Sequence, residues 1–157
     1  MKPNLGLSAK KIESITNMLS ITLSNEVILY TKIRKFHWNV SGESFMEYHK
    51  LFESHYKEIE EKIDEVAEKI SKMGAKAIGT TKEFVKLSII KEEAGIYPTS
   101  KDMLKELVTD HEKIIIQLRA FIKETTDKAE DPSTADFLTG LLQTHETISW
   151  TLRRYFA

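Results

Sequence analysis

The chain contains no cysteine. That excludes disulfide staples and thiolate metal sites, and it is compatible with a reducing compartment. Proline and glycine are scarce, at 3 and 6 in 157 residues. Pro3, Pro98 and Pro132 all fall outside the long periodic segments, where helix ends place them. No apolar run reaches signal-peptide length at the N-terminus or membrane-spanning length elsewhere, so a cytoplasmic protein without a membrane partner is expected. Charge of one sign is also missing. The 23 Lys and Arg nearly balance the 24 Asp and Glu, for a formal net charge of −1, and no global basic field exists to draw nucleic acid. With 41% apolar and 30% charged residues, the composition argues for helices and against disorder. The length suits one domain over 1–157, with 1–7 a short N-terminal tail.

Hydrophobic periodicity predicts four long helices and one short one. The first covers residues 8–39, with Ser8 as N-cap. Its apolar residues, from Ile12 and Ile15 through Leu23, Val27 and Tyr30 to Ile33 and Phe36, are too many for one stripe, so it needs more than one buried contact. Ser41 and Gly42 make a turn into a second helix over 43–73, closed by Gly74. Its core stripe reads Phe45, Phe52, Ile59, Ile63, Val66, Ile70 and Met73. A connection over 74–99 is longer than most structureless loops and carries a short helix at 80–90. Thr99 to Asp102 resembles a capping box opening the third long helix, which ends near Thr125. An acidic loop follows at 127–131, and Pro132 begins the fourth long helix, which reaches about Arg154. Two helix pairs joined by one long crossover make an all-α, ferritin-like four-helix bundle.

Donor residues gather on and just before the second helix. His37 and His49 stand either side of the short turn, close enough in the chain for one metal ion to join them. On a helical wheel, His49, Glu53, Glu60, Asp64 and Glu68 fall within about 100° of one side. Glu60, Asp64 and Glu68 are successive like-charge neighbours, each pair costing roughly 0.2–0.5 kcal/mol, which a bound cation would reverse. Without the histidines the strip reads equally well as a solvated acidic face, with Glu58–Lys62, Glu65–Lys69 and Glu68–Lys72 as surface pairs. A geometric demand follows from spacing alone. His49 and Asp64 are 15 residues apart, or roughly 22 Å along a continuous helix. One site containing both needs a second copy of the chain.

The run His37-Trp38-Asn39-Val40-x-Gly42-x-x-Phe45-x-x-x-His49-x-x-x-Glu53, followed by Asp64-x-x-Ala67-Glu68-Lys69-Ile70, closely resembles the Dps family of mini-ferritins. The family pattern reads HWxVxGxxFxxxHxxFxxxY and then DxxAERI, with Lys69 here in place of arginine; Trp150-x-Leu152-Arg153 resembles its closing W-x-L-R. The resemblance implies a hollow homo-dodecamer with ferroxidase sites on two-fold interfaces. His37 and His49 would come from one subunit, Asp64 and Glu68 from its partner. It further implies oxidation of iron(II), preferentially by hydrogen peroxide rather than oxygen, and storage of ferric oxyhydroxide inside the shell. Trp38 would lie beside the site as a radical interceptor or an interface aromatic. Glu53 would face the cavity as a nucleation carboxylate. Lys50 stands where relatives are often acidic, so nucleation would be weaker or would use Glu60 and its neighbours. The acidic connection before the fourth helix would line iron-entry pores, with Asp127 and Asp136 favoured. Imidazole and carboxylate donors suit iron(II) and its oxidation to iron(III).

Three other readings stand beside this one. A di-iron site inside one bundle calls for Glu-x-x-His motifs, but the residues three before each histidine are Arg34, Met46, Phe52, Val108 and Leu142. His111 and His145 lie on apolar stripes and read as structural, while His55 reads as an accessory ligand or plain surface. A DNA-compacting protein would need a basic arm, and only Lys2 precedes Lys10 and Lys11; weak or absent DNA binding is expected. A purely structural cage is the third.

Overall fold

A computed structural model describes residues 3–157. Helix α1 (Ala9–Asn39) starts where Ser8, in extended conformation, accepts the Lys11 N–H through its side chain. Helix α2 (Phe45–Lys72) pairs with it as a hairpin. The turn between them differs from expectation. Gly42 and Ser44 both adopt positive φ, at 93° and 59°, so Glu43 lies in the turn and the helix begins at Phe45. At that first position Phe45 is not a core residue; it is 41% exposed. Phe52, Ile59, Val66, Ile70 and Met73 are buried as the stripe predicts, with Ile63 half-buried. Gly74 follows at φ 82°, and a side chain there would meet the Pro3 ring at 2.7 Å, which is why only glycine fits.

The crossover carries α3 (Thr81–Leu87), shorter than expected because Ser88 turns extended after it. Thr80 and Glu83 form a full capping box, with the Thr80 N–H donating to Glu83 Oε2 at 3.0 Å. The helix lies against α1 and buries Phe84. One side chain pins this crossover. The buried Asn25 of α1 accepts the Ile89 N–H at 2.9 Å and the Ser88 hydroxyl at 3.1 Å. Replacing Asn25 with leucine leaves those donors unpaired and is expected to cost about 1–3 kcal/mol, measurable as a lowered urea midpoint. An unchanged midpoint would show that the crossover is held by Phe84 alone.

Helix α4 (Ser100–Glu124) starts at Thr99, whose hydroxyl accepts the Asp102 N–H and donates to Asp102 Oδ2 at 2.7 Å. The residues expected to form an acidic loop instead continue as a π-helical turn, Thr125–Ala129. Glu130, at φ 55°, ends that turn. Helix α5 (Pro132–Arg153) then opens as predicted, with Asp131 accepting the Ser133 and Thr134 N–H groups ahead of Pro132. The two hairpins, α1–α2 and α4–α5, close over a core that includes Leu19, Leu29, Phe36, Phe52, Ile59, Leu104 and Leu138. A buried Lys32–Asp110 pair at 2.5 Å joins α1 to α4. Among the described residues no helix is long and apolar enough to cross a membrane.

Candidate metal centre

The α1–α2 turn does more than reverse the chain. It brings the end of α1 beside the start of α2, and His37 and His49 lock onto one another across it. The His37 Nδ1–H donates to the His49 carbonyl at 2.8 Å, and the His49 Nδ1–H donates to the His37 carbonyl at 2.9 Å. A carbonyl oxygen only accepts, so in both rings Nδ1 carries a hydrogen, and in the neutral imidazole Nε2 then keeps its lone pair for a metal. The rings stack with centroids 3.8 Å apart and planes 20° from parallel. Fixing a ligand histidine through its other nitrogen is how metal sites preset tautomer and orientation. Here the backbone does this twice, reciprocally.

Sequence reasoning missed a layer around this pair. Tyr56 stands edge-on to His37 at 5.3 Å. The Arg34 guanidinium lies 5.1 Å from the ring centres of Tyr56 and Trp38 and 5.4 Å from that of Tyr30. Its Nη1–H donates to the Tyr30 hydroxyl at 2.6 Å, and that hydroxyl donates to Glu60 Oε1 at 3.1 Å. Trp38 is 65% exposed. One arginine thus ties Trp38, two tyrosines and Glu60 into a single array beside the histidines. Its signal was the helical spacing Tyr30, Arg34, Trp38, masked because Tyr30 was counted with the apolar stripe.

The carboxylates are elsewhere. Helix α2 is unbroken from Phe45 to Lys72, so Asp64 lies roughly 22 Å beyond His49. Asp64 and Glu68 are exposed, and Glu68 pairs with Lys72 at 2.9 Å. Among the described residues no three histidine, aspartate or glutamate side chains come together to hold a metal ion. The chain gathers His37 with His49 and leaves Asp64 and Glu68 apart from them. Glu53 pairs with Lys57 at 2.5 Å, and that bond and charge hold its carboxyl below the ordinary range. Lys62 pairs with Glu65, not Glu58, and Lys69 reaches Ser133. Asp127 and Asp136 are both exposed, Asp127 beside Lys123. Glu130 is taken by Lys11 and Asp131 by its capping role.

Of the other histidines, His111 and His145 are buried, as their apolar surroundings predict. His55 corrects the expectation of plain surface. It is 5% exposed, and burial pushes its pKa down to about 4. Glu26, which sequence reasoning passed over, is fully buried.

Residues 16–157 match the ferritin-like domain family. The chain is 39% identical to a low temperature-induced protein of Nostoc sp., over 97% of this chain and 85% of that one. It is 32% identical to DNA protection during starvation protein 2 of Bacillus anthracis, over 91% and 97% of the two chains. Its fold is similar to that of a Dps protein from Vibrio cholerae, with a TM-score of 0.91, 26% identity and coverage of 100% and 98%. That protein is described as a member of a broad superfamily of ferritin-like diiron-carboxylate proteins. By domain match, by sequence and by fold, the chain belongs to the Dps family of ferritin-like proteins.

Proposed function

We propose that this protein is an iron-storing and iron-detoxifying ferroxidase whose sites are shared between subunits of a hollow dodecamer. The observation that carries this reading is the α1–α2 turn. It presents two Nε2 lone pairs side by side in a chain whose described residues offer them no third ligand. A neighbouring copy related by a two-fold axis brings its own α2, and Asp64 and Glu68 of that copy complete the set. The two-fold repeats the arrangement, so each such interface carries two sites.

Iron(II) is the substrate. Imidazole and carboxylate ligands accept it, and the carboxylates favour the harder iron(III) that results. Hydrogen peroxide is the preferred oxidant. It takes one electron from each of two iron(II) ions and, with two protons, leaves as two waters. Both reagents of hydroxyl-radical formation are consumed together. Glu53 and Glu60 serve the growing mineral, Trp38 guards the site, and the exposed Asp127 and Asp136 draw cations inward at the pores. A sizing measurement combined with anaerobic iron(II) titration tests the reading. A twelve-subunit particle binding iron through His37 and His49 supports it; a monomer that binds iron contradicts it.

DNA protection gives the Bacillus anthracis relative its name, yet this chain's near-neutral charge favours shielding by chemistry over coating. Binding gains come chiefly from neutralised phosphates. A gel-shift at physiological salt and neutral pH is expected to show no tight complex, and a tight one would reverse that expectation.

A further inference from the structure

The bundle interior holds a second set of titratable groups, one from each long helix and independent of His37 and His49. Glu26 of α1, His111 of α4 and His145 of α5 are fully enclosed, and His55 of α2 nearly so. The His145 Nε2–H donates to Glu26 Oε1 at 2.8 Å. On the opposite side of the ring, His145 Nδ1 faces His111 Nδ1 at 2.8 Å. Two bare nitrogens would repel at that distance, and two N–H groups would collide. The contact therefore holds one hydrogen. Beyond it, Glu26 Oε2, His111 Nε2 and His55 Nδ1 are buried without a partner, a costly arrangement that asks for a role.

We propose that the Glu26–His145–His111 chain is a proton-gated lock, tying the α1–α2 hairpin to α4–α5 while the facing nitrogens share one hydrogen and favouring release in mild acid, where only the opened pair of hairpins admits a second proton. The anion facing this set is Glu26. The neighbouring Asp110 is engaged by Lys32 and Lys113, and the remaining group, His55, is an imidazole that adds no negative charge. One proton more on His145 is balanced by Glu26. With both rings charged, one carboxylate is left against two cations, and two N–H groups point at each other. The helix pairs must then part.

Burial, with His145 and His55 adding to it, holds the His111 pKa far below its ordinary value. The sign follows. A group whose folded pKa is depressed contributes stability that is whole above its unfolded value, about 6.5 for histidine, and lost as pH falls below that.

The test is urea unfolding of the assembled, metal-free protein at pH 7.5 and pH 5.0, as wild type and as His111→Gln. Glutamine keeps a donor toward His145 and cannot titrate. The wild-type unfolding constant is expected to rise about 30-fold more than the variant's between those pH values. Equal rises would overturn the proposal. Hydrogen–deuterium exchange of the wild type, corrected for intrinsic rates, tests it without a substitution. Protection of α4 and α5 amides should drop at least tenfold at pH 5.0, and unchanged protection would also overturn it.

Discussion

The double variant His37→Ala/His49→Ala is expected to oxidise iron(II) with hydrogen peroxide at least about 100-fold more slowly than wild type in a stopped-flow assay. Loss of an outer-shell partner of a ligand histidine already costs about 10–100-fold; here both ligands and both of their fixing bonds go together. The fold should survive. The rings are half-buried at the edge of the bundle, and the core beneath them rests on Phe36 and Phe52. The reciprocal bonds are worth about 1 kcal/mol each. A purely structural cage would show no change in rate, so an unaltered rate in a correctly assembled variant would dismiss ferroxidase chemistry at this turn.

Asp64→Ala should fail to a similar degree, which is the less intuitive expectation. The residue lies on the same helix as His49 but roughly 22 Å further along it, exposed and without a role in the core. An exposed substitution of this kind normally moves stability by less than about 0.5 kcal/mol. In an isolated chain it has no route to the histidines. A large loss of iron(II) binding and oxidation by Asp64→Ala, with thermal stability unchanged, requires that the carboxylate act on another subunit's imidazoles. Oxidation at the wild-type rate would confine the site to the histidine pair.

Much of the architecture was readable because the punctuation is local. Ser8, Thr99, Asp131 with Pro132, and Gly74 stand at the ends of 3.6-residue periodic runs, and each does at its helix terminus what its chemistry requires. What could not be read depends on backbone choices or distant partners. Ser44 adopts a left-handed conformation that serine seldom takes, and it shifts the start of α2 and exposes Phe45. The π-helical turn at Thr125–Ala129 keeps winding where acidic residues imitate a loop. At the centre itself, residue types and spacing pointed to His37 and His49, but not to the crossed carbonyl bonds that set their tautomers. Arg34 lay hidden as an ordinary helix cation. Glu26 and His145 are 119 positions apart, and nothing local announces that two polar residues in apolar stripes are partners.

Each rate loss reports on one half of the ligand set, whereas complementation between defective chains reads the sharing itself. His37→Ala/His49→Ala and Asp64→Ala subunits, co-expressed in equal amounts and purified as one particle, pair at random. Half of the two-fold interfaces then join unlike subunits, and each of those holds one site with intact histidines facing an intact carboxylate. About a quarter of wild-type peroxide-driven oxidation should return, although each parent alone is at least about 100-fold slower than wild type. A mixed particle as inactive as its parents would mean that the ligands of each site belong to a single chain.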